Sequence, residues 1–171
     1  MPTNTKKHLR RLTLAAILCA LVFVATRFTQ IPIVGSEGYI HLGDAFIYLA
    51  ASILPTPYAC AVGAIGAGFA DITSFPIFAP GTIILKTLIT LFFTSKPEKL
   101  LCKRNIVAAV PAGAVTVVGY YLYEAVFIAN NFASPLASIP FNIIQAVSSA
   151  AVFFAVGLMF DKLLLKNKIL K

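Results

Sequence analysis

Charge and tryptophan are scarce in this sequence. Only 12% of its 171 residues are charged, there is no tryptophan, and mean hydropathy is +0.89. A soluble domain carries about 25% charged residues, so this chain is too poor in charge to cover itself in water. The three cysteines and two histidines are scattered along the chain, and we therefore expect no disulfide framework, no metal site and no cofactor.

Apolar residues are abundant instead, at 59% of the chain, and they fall into six runs. One helical crossing of a bilayer takes about 20 residues, so the length holds six crossings and leaves no room for a soluble ATPase or catalytic domain. We predict one all-α integral membrane domain over residues 1–171, a bundle of six transmembrane helices. The predicted spans are about 12–28, 43–54, 57–73, 82–94, 106–128 and 140–160. The second and fourth are short, which predicts shielding by neighbouring helices or tilting.

The basic residues indicate how the bundle is oriented. Twelve of the fourteen lie in three clusters, Lys6–Arg11, Lys96–Arg104 and Lys162–Lys171. Cytoplasmic loops retain Lys and Arg, so the pattern predicts that both termini and the central connection are cytoplasmic, with a smaller contribution from attraction to anionic lipid. The three opposite connections contain Glu37 but no Lys or Arg; they are Thr29–Leu42, Ser74–Gly81 and Ala129–Ile139.

Small residues recur every four positions in two spans. The third span has the row Ala59, Gly63 and Ala67, and the first has Ala16 and Ala20. Such rows let helix backbones approach closely. They favour internal packing, with a central third helix, over a partner interface.

Five charged side chains lie within or near the predicted spans: Arg27, Asp44, Asp71, Lys86 and Glu124. Each costs several kcal/mol in hydrocarbon unless it has a partner or a function. An antiparallel arrangement of the third and fourth spans would pair Asp71 with Lys86, either to fix the helices or to contact a ligand. Asp44 begins the second span, where a carboxylate serves as an N-cap.

Two polar stripes converge at similar depth on the predicted outer side. The fifth span carries Tyr120, Tyr123, Glu124, Phe127 and Asn131 on one helical face, and the sixth carries Asn142, Gln145 and Ser149. Hydrogen bonds between helices would satisfy the amides without a ligand. A few polar groups among aromatic walls also suit a small planar ligand, and this is the interpretation we favour.

The first outer connection is long for so compact a chain. It contains Pro32, Gly35 and Gly38, which allow sharp turns, and it offers the rings of Tyr39 and His41. Long loops with aromatic content more often carry function than serve as passive connectors. We predict a lid.

Four segments carry a resemblance to a known family: Ala16-Ile-Leu-Cys-Ala20, Tyr39-Ile-His-Leu-Gly-Asp44, Val62-Gly-Ala-Ile-Gly-Ala-Gly-Phe-Ala-Asp71 and Phe78-Ala-Pro-Gly-Thr-Ile-Ile-Leu-Lys86. In their order, spacing and six-span context, the chain resembles the substrate-binding (S) components of energy-coupling factor (ECF) vitamin transporters. It is most similar to the branch for riboflavin, hydroxymethylpyrimidine and pyridoxine. One departure is the Pro55-Thr-Pro57 turn, where related members are expected to have Gly-Pro.

The resemblance implies a multi-pass protein of the bacterial plasma membrane that captures a vitamin from outside and is not an enzyme. It also implies partners, namely a membrane coupling subunit that packs on Ala16 and Ala20 and two cytoplasmic ATPases that supply energy. A pyrimidine or pyridine precursor, hydroxymethylpyrimidine or pyridoxine, is the first choice of substrate and riboflavin the second. The expected substrate-binding residues are Tyr39, His41, Lys86, Tyr120, Tyr123, Glu124, Phe127, Asn131, Asn142 and Gln145.

Two other classes fit the same residues less well. A stand-alone channel or facilitator would explain a polar interior. An intramembrane hydrolase would use Asp71 or Glu124, but carboxylate catalysis needs a second acid nearby, and no Ser-His or Cys-His arrangement appears.

Overall fold

The computed structural model describes residues 2–34 and 38–166, with side chains from residue 5 onward. In these two ranges six helices form one bundle, as predicted: α1 Pro2–Phe28, α2 Gly43–Ile53, α3 Thr56–Ser74, α4 Ala79–Thr90, α5 Lys103–Tyr123 and α6 Ile139–Lys162. Shorter turns extend them at Pro76–Phe78, Glu124–Ile128 and Ser134–Ser138. Gly35 and Glu37 of the outer loop, and Lys168 and Lys171 of the third basic cluster, lie outside the described residues.

Within the described part of the chain, three helical segments are long and apolar enough to cross a membrane: Thr5–Phe28, Lys103–Ile128 and Ser134–Lys162. The short helix α2 is shielded, since every residue in it except Phe46 is buried. The predicted fourth span is 82–94, and helix α4 covers Ala79–Thr90. The helix therefore starts three residues earlier than predicted and also ends four residues earlier. Short helices that cannot cover the bilayer alone are thus packed against longer ones.

Helix α3 packs between α1 and α4, and small residues make both contacts possible. A Cβ atom on Gly63 would lie 2.8 Å from the Lys86 carbonyl oxygen, and one on Gly66 would lie 2.8 Å from the Cys19 carbonyl oxygen. A side chain at either position would push the helices apart. The small residues of α3 therefore serve internal packing.

Helix α2 places an aromatic cluster beneath its polar first turn. The Tyr48 ring stacks on Phe93 with centroids 4.8 Å apart, and the edge of Phe153 meets both rings. All three side chains are buried. This cluster forms an apolar core between Asp44, one turn earlier in α2, and the basic end of the bundle.

The connection between α1 and α2 is a short hairpin. Strand β1, Ile31–Pro32, pairs antiparallel with β2, Tyr39–Ile40, in the register Ile31 opposite Ile40. The Ile33 amide donates to the Gly38 carbonyl at 3.0 Å. The hairpin ends where α2 begins, and this places Tyr39 and His41 over the mouth of the bundle.

Candidate functional site

A narrow pocket lies beneath the hairpin, at the end of the bundle away from the basic clusters. Its walls come from the hairpin, α3, the turn before α4, α5 and α6. The cavity that its side chains enclose has a volume of only about 10 Å³. That is the lower limit for one water molecule, so the walls are closed on one another. The lining residues are Gly38, Tyr39, His41, Asp71, Phe78, Tyr120, Glu124, Asn142 and Gln145.

Aromatic rings form one wall of this pocket. Tyr39 stacks on Phe75 with ring centroids 4.6 Å apart, and the edge of Phe78 meets Tyr39 at 6.5 Å. The Phe78 ring also contacts that of Tyr120, with ring centroids 6.4 Å apart. Stacked and edge-on rings of this kind hold a planar ligand by its faces.

Asp71 holds the hairpin against the bundle. Its carboxylate accepts hydrogen bonds from the hydroxyls of Tyr39 and Thr82. The Thr82 hydroxyl lies 2.7 Å from that of Tyr120. This chain of contacts joins the hairpin, α3, α4 and α5 on one side of the pocket, and Gln30 adds a hydrogen bond of 2.9 Å from its amide nitrogen to the Ser74 hydroxyl.

An ion pair supports the opposite side, and it differs from the expected pairing of Lys86 with Asp71. Lys86 Nζ lies 2.7 Å from Asp44 Oδ1 and donates to Oδ2 at 3.0 Å, with both side chains fully buried. Lys86 faces α2, which packs against α4, and its ammonium lies 4.9 Å from the Tyr120 ring centre. Asp44 is not the N-cap either, because Leu42 occupies that position.

Gln145 connects this ion pair to the hairpin. Its side-chain nitrogen donates to Asp44 Oδ2 at 3.1 Å, and its oxygen accepts the His41 backbone N–H at 3.0 Å. Together with the Asp71 chain, these contacts run around the pocket. Gln145 and Lys86 therefore shape the site by holding its walls, and Lys86 itself is not among the lining residues.

His41 is held in one neutral tautomer. Its Nδ1 accepts the Gly43 backbone N–H at 3.0 Å, which leaves the proton on Nε2. Burial, opposed by the charge of Asp44 and assisted by that of Lys86, lowers the His41 pKa to about 4. Burial and the charge of Asp71 raise the pKa of Tyr39 above its ordinary value. Both rings are uncharged at neutral pH and act as hydrogen-bonding groups.

Asn142 and Glu124 supply further polar groups to the pocket. Asn142 is 3% exposed, and its amide nitrogen has no hydrogen-bond partner among the described residues. A buried donor without a partner costs about 1–3 kcal/mol, so a hydrogen-bond acceptor that entered the pocket would be bound favourably by this group. Glu124 is 5% exposed and contributes a second carboxyl group to the lining, in addition to that of Asp71.

Besides Lys86, three other expected site residues lie outside the lining. The Tyr123 hydroxyl donates to the Ile77 carbonyl at 2.7 Å, Phe127 is 69% exposed, and Asn131 accepts the Ala133 N–H. For Phe127 and Asn131 the cause is the π-helical turn Glu124–Ile128. It takes more residues per turn than an α-helix, so the predicted stripe leaves the pocket face after Glu124.

Sequence reasoning missed other members of the site. Phe78 lies in the segment that carried the family resemblance, so a signal was present. The sequence marks Asp71 as a costly intramembrane charge but predicts an ion pair with Lys86, which pairs with Asp44 instead. Thr82 and Gly38 gave no signal, because neither residue type is unusual at such positions.

A six-helix membrane bundle with a buried polar pocket under a hairpin defines a membrane-embedded binding protein for a small solute. Residues 6–161 match the family described as "ECF-type riboflavin transporter, S component", and the chain belongs to that family. It is accordingly a substrate-binding membrane subunit of the vitamin-transporter type, from a transporter family and not an enzyme family. S components work with a vitamin and with an ECF module of transmembrane and ATPase subunits.

The chain is also similar to a curated protein of Pyrococcus woesei described as an uncharacterized protein in the gap 3' region. The two are 27% identical over 144 residues, which cover 82% of this chain and 95% of the relative. This relative extends the similarity along nearly its full length, but its description names no ligand.

Proposed function

We propose that the pocket binds a small pyrimidine or pyridine vitamin precursor, with hydroxymethylpyrimidine or pyridoxine as the preferred ligand. The observation that carries this proposal is the lining of the pocket, where the rings of Tyr39, Phe78 and Tyr120 surround a few buried polar groups. Such a combination suits a small planar ligand with hydrogen-bonding substituents. Because the walls are closed on one another, with a cavity of about 10 Å³, a single ring requires less movement of the walls than a fused three-ring system does.

The chemistry of the lining supports the same ligand class. Asp71 and Glu124 offer carboxylate acceptors for an amino group or a protonated ring nitrogen. Asn142 offers a donor for a ring nitrogen or hydroxyl oxygen. The rings of Tyr39 and Tyr120 provide faces for stacking.

Riboflavin is the second candidate, because the matching family is described as a riboflavin transporter component. Its fused three-ring isoalloxazine system would require the aromatic wall of the pocket to move outward further than a single ring would.

Calorimetric titration of the purified protein with hydroxymethylpyrimidine, pyridoxine and riboflavin tests the assignment. We expect tight binding of one single-ring compound without ATP. Asn142→Ala and Glu124→Gln should each weaken it about tenfold or more, as expected for a hydrogen bond involving a buried or charged group. Glu98→Gln, at an exposed position in the α4–α5 connection at the other end of the bundle, should leave the affinity unchanged. Tight binding of riboflavin alone would overturn the preferred ligand, and unchanged affinity in both site variants would overturn the pocket.

The α1 face that carries Ala16 and Ala20 is the proposed contact with the coupling subunit. Both alanines are exposed, whereas Ala15 and Leu18 on the other face are buried. Ala16→Leu or Ala20→Leu should spare vitamin binding and reduce co-purification with the coupling subunit. Ala151→Leu, an exposed alanine on α6, is the matched control. Normal assembly of both α1 variants would contradict the contact.

A further inference from the structure

A second cavity opens at the other end of the bundle, and it is lined by cations. It lies between the start of α1, the α2–α3 turn and the α4–α5 connection. Its volume is about 220 Å³, against about 10 Å³ for the pocket under the hairpin. The lining residues are Lys7, Arg10, Arg11, Ile53, Pro55 and Ser95.

The three cations share one face of α1. Lys7, Arg10 and Arg11 are spaced i, i+3 and i+4, which places their side chains next to one another. The N-terminal part of α1 is held in place at this height, since His8 Nδ1 lies 2.9 Å from the Tyr58 hydroxyl at the start of α3. The positive charges are therefore presented on a docked helix.

A fourth cation neutralises the wall that would otherwise repel an anion. Helix α2 ends at this cavity, and helix C-termini carry partial negative charge. Lys166, only 4% exposed, donates from Nζ to the carbonyls of Ser52, Ser95 and Pro97 at 2.9, 2.8 and 2.6 Å. Its ammonium group offsets the partial negative charge of these carbonyl oxygens, so the wall formed by Ile53 and Ser95 does not repel an anion.

The position of the cavity fits a lipid better than a soluble anion. The cations lie immediately before the apolar run of α1, where a predicted cytoplasmic loop meets the hydrocarbon. The headgroup phosphates of the inner leaflet lie at this depth, so a phosphate ester there would meet these cations directly.

We infer that this cavity binds the phosphate group of an anionic phospholipid from the inner leaflet. Arginine forks and lysine ammonium groups are the ordinary ligands of phosphate esters. The site is separate from the vitamin pocket, because the aromatic cluster of Tyr48, Phe93 and Phe153 lies between them.

Native mass spectrometry of the full chain, released from mild detergent with added lipid, tests this inference. Phosphatidylglycerol should remain bound in preference to phosphatidylcholine. Each basic residue near an anionic lipid contributes about fivefold in affinity, so the double variant Lys7→Gln with Arg11→Gln should bind phosphatidylglycerol about 30-fold more weakly. The control variant Lys99→Gln with Lys103→Gln removes two exposed charges outside the cavity and should retain it.

Equal loss in both double variants would overturn the inference, because attraction would then depend on net charge alone. So would retention of lipid by the Lys7 and Arg11 variant. Competition by millimolar inorganic phosphate, without any preference between the two lipids, would assign the cavity to a soluble anion. Loss of co-purification with the coupling subunit, at unchanged lipid retention, would assign it to a protein partner. Vitamin binding should be unchanged in both variants, which confirms that they fold.

Discussion

At the scale of single residues, the ion pair of Lys86 with Asp44 places two opposite charges in the interior of the bundle. Both side chains are fully buried, and Gln145 shares the carboxylate. Removing one partner of a buried pair leaves the other charge uncompensated. Lys86→Met should therefore lower the free energy of unfolding by about 3–5 kcal/mol.

Equilibrium unfolding of the purified protein with a denaturing detergent measures this loss. The double variant Lys86→Met with Asp44→Asn should recover most of it, because neutral groups of similar volume often replace a buried pair at little cost. A double variant as unstable as Lys86→Met alone would mean that the pair contributes through packing and not through charge.

His41 gives the protein a pH dependence of known sign. Its pKa in the folded protein is about 4, below the ordinary value of about 6.5. Between these pH values the unfolded chain binds a proton that the folded chain does not, so the free energy of unfolding falls as pH drops through this window. The shift corresponds to a loss of up to about 3 kcal/mol.

Thermal unfolding from pH 7.5 down to 4.5 checks this dependence. His41→Asn is the matched variant, because an asparagine side chain also accepts the backbone N–H two residues ahead, as His41 does from Gly43. The variant should lose most of the decline below pH 6.5. An identical decline in both proteins would assign the effect to other groups.

At the scale of elements, the apolar runs predicted the six helices because the length of such a run reflects burial in the membrane. The π turn Glu124–Ile128 could not be predicted, since its five residues contain no glycine or proline to mark it. That single turn explains why Phe127 and Asn131 were expected in the pocket and lie outside it. The pairing of Lys86 with Asp44 could not be predicted either, because it depends on α2 packing against α4, and sequence order gives only the neighbours along the chain.

The hairpin that covers the pocket is held by the hydrogen bond from Tyr39 to Asp71. Hydrogen bonds to charged groups contribute about 1.5–3 kcal/mol, so Tyr39→Phe should release the hairpin and speed vitamin dissociation about tenfold or more. Stopped-flow or surface-based kinetics with the bound vitamin measure the rate. Tyr121→Phe is the control, because that hydroxyl donates to the exposed Phe132 carbonyl and leaves the hairpin intact. A dissociation rate unchanged by Tyr39→Phe would mean that the hairpin does not limit release.

At the scale of the whole molecule, both proposed ligand sites depend on which end of the bundle faces outward. The vitamin pocket lies under the α1–α2 hairpin, and the phosphate cavity lies among the basic clusters at the opposite end. Because Lys and Arg are retained in the cytoplasm during insertion, the hairpin should face outward. The two sites would then meet different compartments, one capturing solute and the other contacting the inner leaflet.

Cysteine labelling in intact cells decides the orientation. In a variant with Cys19, Cys60 and Cys102 replaced by alanine, Phe132→Cys at the hairpin end should react with a membrane-impermeant maleimide. Lys99→Cys, in the basic α4–α5 connection, should react only after permeabilisation; both positions are exposed in the structure. The reverse pattern would place the vitamin pocket in the cytoplasm, where it could not capture a nutrient from outside, and would move the cationic cavity away from the inner leaflet. Labelling at both positions before permeabilisation would contradict a bundle that crosses the bilayer between them.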